Sequence, residues 1–71
     1  MEWRTYTPDG RVLIVRRTDG DWVAVCDDTE AERSELADAI REAVGRPGGE
    51  ADDRLDQWIR ETAAHIVGDT L

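Results

Sequence analysis

Apolar side chains in the first 26 residues come in short runs separated by turn residues, the pattern of strands and not of helices. Thr7-Pro8-Asp9-Gly10 is a strong turn: Pro presets φ at the first central position, Asp tolerates the second, and Gly takes the left-handed position after them. It predicts a type I turn with a G1 bulge, pairing Thr7 with Arg11. Strand 1 is then about Glu2–Thr7 and strand 2 about Arg11–Thr18. Asp19-Gly20 suits a two-residue type I′ hairpin, with strand 3 about Asp21–Cys26. The strands form a three-stranded antiparallel meander with strand 2 in the middle.

The period then changes. Leu36, Ala37, Ile40, Ala43 and Val44 recur at helical spacing, and Thr29 with Glu32 fits a capping box ahead of them. Gly45 stands where a helix takes its C-terminal glycine, and Arg46-Pro47-Gly48-Gly49 reads as a loop. A second helix begins near Asp52, carries Leu55, Trp58, Ile59, Ala63, Ile66 and Val67 as its stripe, and is closed by Gly68. The expected fold is α+β, with order βββαα, in one small domain over residues 1–71. Two helices joined by a short loop favour neighbouring positions on one face of the sheet.

That packing raises a difficulty, because alternation makes both faces apolar at their centres. One face carries Trp3, Thr5, Leu13, Val15, Trp22, Ala24 and Cys26; the other carries Arg4, Tyr6, Val12, Ile14, Arg16, Val23 and Val25. A contiguous apolar patch on a monomer usually has a use. The expectation is that the aliphatic face, Val12, Ile14, Val23 and Val25, lies against Leu36, Ile40, Leu55 and Ile59. Trp3, Leu13, Val15, Arg17 and Trp22 are then the partner-binding surface, since Trp and Arg are favoured at interface hot spots. The partner expected is a protein, first a second copy of the chain and then a second protein.

Composition sharpens this. A chain of 71 residues has a marginal core and usually needs a staple. The single cysteine excludes an internal disulfide, and one Cys with one His cannot close a zinc site. Association remains. The start has no signal-peptide pattern and no apolar run spans a membrane, so with a lone free thiol a cytoplasmic location is expected. The net charge of −8 is unevenly placed. Residues 1–26 balance, whereas residues 27–71 carry five arginines against thirteen acids. That argues against broad binding to duplex DNA.

Few constellations point to chemistry. Asp52-Asp53-Arg54-Leu55-Asp56 resembles the magnesium-diphosphate motif of prenyl synthases, which implies metal binding in a helical cavity this chain is too short to enclose. Acids in a first helical turn account for the same residues. Cys26 and His65 have no third orienting group, and Glu61 and His65 suit a helix-surface pair. No catalytic residue, metal or cofactor is expected. Arg4, Arg16 and Arg17 interleave with Trp3, Tyr6 and Trp22, as on sheets that grip single-stranded nucleic acid, but the aromatics divide between the two faces. The acids from Asp27 to Glu42 and from Glu50 to Asp56 could imitate a DNA backbone. The expected function is a non-catalytic acidic interaction module, a regulator, adaptor or inhibitor subunit, homodimeric through the open face. A DNA-mimicking inhibitor and a single-strand-binding sheet are the alternatives.

Overall fold

The structure is a computed structural model and describes residues 2–45 and 53–70. Turn chemistry accounts for the first half of it. Gly10 has φ +91, its N–H donates to Thr7 O (2.9 Å), and Thr7 N–H donates to Arg11 O (2.8 Å), the bulged turn expected. Thr7 adds its own hydroxyl, which accepts from Arg11 N–H (2.9 Å) and donates to the Asp9 carboxylate. β1 (Glu2–Tyr6), β2 (Val12–Arg17) and β3 (Trp22–Cys26) follow. Their pairings, Trp3 with Val15, Thr5 with Leu13, Val15 with Ala24 and Leu13 with Cys26, are those the turns imply. The second turn differs in type. Of its two central residues only Gly20 has positive φ, so it is not I′, although the register is the same.

The chain then departs from expectation. Thr29 and Glu32 do not cap a helix but lie in a fourth strand, β4 (Thr29–Arg33), paired antiparallel with β3 in a sheet ordered β1-β2-β3-β4. Asp27-Asp28 turns the chain in two residues, with Asp27 at φ 55, a region Asp tolerates better than most residues. The ladder satisfies backbone groups that a capping box would otherwise serve, and the pairing buries Ala31. α1 (Leu36–Val44) therefore begins seven residues after Thr29, with Glu35 at its N-cap in extended conformation and no side-chain cap bond. Gly45 ends it as expected, at φ 72, donating to Arg41 O (3.0 Å). α2 (Asp53–Thr70) runs past Gly68, which does not close it. The Arg46–Gly49 loop and Asp52 lie outside the described residues.

The helices cover the face opposite to the one expected. Leu13, Val15, Trp22, Ala24, Cys26 and Ala31 form one core with Leu36, Ala39, Ile40, Ala43 and Val44 of α1 and Ile59, Ala63 and Ile66 of α2. β4 decides this. Its register places Ala31 behind Ala24, and puts Glu30 and Glu32 beside Val25 and Val23 on the other face. Covering that face would bury two carboxylates, a larger penalty than leaving a few aliphatic groups wet. The inward positions of β3 and β4 are also small at Ala24, Cys26 and Ala31, which lets α1 approach closely through Ala39 and Ala43.

Candidate functional site

The five residues expected at a contact surface do not form one. Leu13 and Val15 are wholly enclosed, Trp22 is 4% exposed, and all three are core. Trp3 is half-buried and packs on that core, its ring centroid 6.0 Å from that of Trp22 with the planes at 54°. Arg17 is exposed, its guanidinium carbon 4.5 Å from the Trp22 ring centroid. The group is a tilted pair of indoles, one buried and one half-buried, with an arginine laid on the buried one.

The surface left open is the opposite face. Of the large apolar side chains most exposed among the described residues, Tyr6 (64%) and Val12 (39%) are cross-strand neighbours there. Ile14 and Val25 pair beside them, half-buried, and Val23 lies low between its neighbours outside the helix-covered core. Charge frames this centre. Arg4 and Arg16 stand on the β1–β2 side, Glu30 and Glu32 on β4, and Arg16 reaches Glu30 across the valines at 3.5 Å. Sequence alternation identified the aliphatic members of the face. Glu30 and Glu32 join this face only because Thr29–Arg33 is a strand and not a helix start; the signal for it in the sequence is the Asp27-Asp28 pair set before the alternating Glu30-Ala31-Glu32.

No family model, curated protein or solved structure matches this chain. What the arrangement can do rests on its own geometry.

The chemical groups considered from sequence are scattered. Cys26 is sealed in the core, and burial pushes its thiol above the ordinary value, so it stays protonated and poorly nucleophilic. His65 is exposed on α2, at a cleft of about 500 Å³ between β1 and α2 lined also by Trp3, Arg4, Thr5, Glu61, Thr62 and Ile66. Glu61 accepts from Gln57 (3.2 Å) and not from the histidine one turn on. Among the described residues no group of three His, Cys, Asp or Glu side chains is placed to hold a metal, and no helix is long and apolar enough to cross a membrane.

Many of the helix-borne acids are partnered. Arg41 bridges Asp38 (3.4 Å) and Asp56 (2.6 Å), Arg60 also reaches Asp56 (2.8 Å), and Arg33 pairs with Glu42 (3.1 Å). The hydrogen bond from Arg41, with the charge of Arg60, holds the Asp56 carboxyl below its ordinary value of 3.8. The Asp9 carboxyl is lowered too, mainly by the Thr7 hydroxyl and then by Arg11. A lowered folded-state value means the stabilisation is complete above the unfolded value. It is lost as pH falls through the lowered folded value. Asp56→Asn should therefore reduce stability slightly at pH 7 and flatten the acid limb of a stability–pH curve below about pH 4. Denaturant melts at stepped pH measure this; an acid limb as steep as that of wild type would exclude the Arg41–Asp56 contact from the fold's energetics.

Proposed function

We propose that this chain is a non-catalytic interaction module that works as a homodimer through its open sheet face, as a regulator, adaptor or inhibitor subunit. The observation that carries this is the placement of both helices on one face of the sheet, while Tyr6, Val12, Ile14 and Val25 lie uncovered on the other. A chain this small gains most from sharing such a patch with a copy of itself, because a two-fold interface uses the same residues twice.

The other readings lose support in the same geometry. Single-stranded nucleic acid needs aromatic platforms, and of the aromatics on the sheet only Tyr6 stands open on the free face. A DNA mimic needs a continuous row of open carboxylates, and Asp38, Glu42 and Asp56 interrupt such a row because each is tied to an arginine.

The face measures roughly 14 by 17 Å from strand spacing and rise, about 240 Å² per copy and below the size of a standard specific interface, so the self-association expected is weak and concentration-dependent. Light scattering at stepped concentrations up to about 1 mM should show the mass rise from the 8.0 kDa of one chain toward twice that value. Tyr6→Ala should weaken the dimer by about 2 kcal/mol, roughly thirtyfold, without changing the fold, since the ring is exposed in the free chain. A monomer at all concentrations would end the dimer reading.

A further inference from the structure

β1 leaves a free strand edge open beside a cleft. The turn at Gly10 sets which main-chain groups lie on that edge. Thr7 N–H donates to Arg11 O (2.8 Å), so these two residues are a hydrogen-bonded pair, and in an antiparallel ladder such pairs recur at every second residue. Thr5 with Leu13 and Trp3 with Val15 are then the pairs that exchange bonds with β2. The main-chain N–H and C=O of Arg4, like those of Glu2 and Tyr6, point away from β2, and β1 is an edge of the sheet.

The helices shape the cleft. α1 packs on β3 and β4 and α2 packs on α1, so α2 stands off from β1 and leaves the space of about 500 Å³ between them. Trp3, Arg4 and Thr5 line its strand side, and Thr62, His65 and Ile66 line its helix side. Trp3 to Thr5 covers about 7 Å of strand and Thr62 to Ile66 about 6 Å of helix, matched lengths that take three residues of an added strand.

We infer that this edge binds an extended peptide of apolar–acidic–apolar pattern as a fifth strand between β1 and α2. In strand addition, main-chain hydrogen bonds supply affinity and alternate side chains supply specificity. Here parity sets the pattern. The peptide residue opposite Arg4 exchanges both main-chain bonds with it and points its side chain to the same face as the Arg4 guanidinium, which has no ion-pair partner among the described residues. A carboxylate suits that place. The residues on either side, opposite Trp3 and Thr5, point the other way, into the cleft beside the half-buried Trp3 ring. Apolar side chains suit those. The other sheet edge has neither feature, because Glu30 and Glu32 guard β4 and α1 packs on it. A second copy is a poorer occupant. Glu2 is the one acid in β1, and setting it against Arg4 pairs only Glu2 through Arg4 with their equivalents. The two-fold axis of that pairing also brings a second α2 to the same side of the joined sheet.

The probe is a blocked peptide, Ser-Thr-Leu-Glu-Val-Thr-Ser, titrated to about 2 mM against nitrogen-15-labelled protein at about 50 μM. Amide resonances of Trp3 to Thr5 and Thr62 to Ile66 should shift saturably, while those of β4 stay in place. N-methylation of the central Glu removes the bond its N–H donates to Arg4 O and should weaken binding about tenfold. Lysine in place of that Glu should weaken it about fivefold, and Arg4→Glu should reverse the preference, so that the lysine peptide binds better than the parent. Arg4 is exposed, and far-UV circular dichroism of the variant should overlay that of wild type. No saturable shift, equal binding of the N-methylated peptide, or a charge preference unmoved by Arg4→Glu overturns the proposal. So does movement of the same amides when the protein alone is concentrated to about 1 mM without any response to peptide, which gives the edge to a second copy. None of these readings depends on the open-face dimer.

Discussion

Trp22→Ala is expected to unfold the domain. The side chain is 4% exposed, lies under the helices with Leu13, Val15 and Ala24, and packs against the Trp3 ring 6.0 Å away. Removing a buried aromatic costs about 3–5 kcal/mol through lost transfer energy and the cavity left behind. A domain of this size has roughly 3–5 kcal/mol in all. Far-UV circular dichroism at 25 °C and a urea titration should show little or no cooperative transition. Arg17→Ala, by contrast, removes an exposed cation from the ring face and should cost about 1 kcal/mol or less. The pair separates core from surface: a Trp22→Ala protein that melts like wild type, with only self-association lost, would return Trp22 to the contact surface.

The second large effect concerns the helices. Ile40 is wholly enclosed in α1, and Ile59, 1% exposed, is the most deeply buried side chain of α2 among the described residues. Truncation of a buried Ile costs about 2–5 kcal/mol, so Ile40→Ala and Ile59→Ala should both be largely unfolded or aggregated. The Ile59 variant carries additional information, because the rest of the α2 seam is thin: Ala63 and Ile66 are buried, while Leu55 and Trp58 are only partly so. If α2 belongs to the cooperative unit, any residual transition keeps the wild-type dependence on urea. A folded Ile59→Ala protein with a clearly reduced dependence would mean that α2 detaches while the sheet and α1 remain folded.

Local chemistry made much of this fold legible. Pro8-Asp9-Gly10 and Asp19-Gly20 are short enough that closing them leaves one register, and the observed pairings through Trp3–Val15 and Leu13–Cys26 are that register. Gly45 ends α1 because a residue at φ 72 there favours glycine whatever surrounds it. Alternation likewise sorted the residues of the first three strands into the two faces the structure has, since side-chain direction along a strand depends on parity alone.

The long-range decisions were not legible in the same way. Thr29 to Arg33 is compatible locally with a capped helix start or an edge strand, and pairing with β3, which buries Ala31, decides for the strand. Gly68 carries a stop signal only when it adopts a left-handed conformation, and α2 continues through it to Thr70. The choice of covered face has the same origin. Periodicity gives each face an apolar centre and no ranking between them. Only after β4 adds Glu30 and Glu32 to one face does desolvation rank the two, sending the helices to the tryptophan side and leaving Tyr6, Val12 and Ile14 on the other. Parity and turn closure act over a few residues and are fixed by the sequence itself. The cost of burying a charge depends on what packs over it, which only the assembled layers decide.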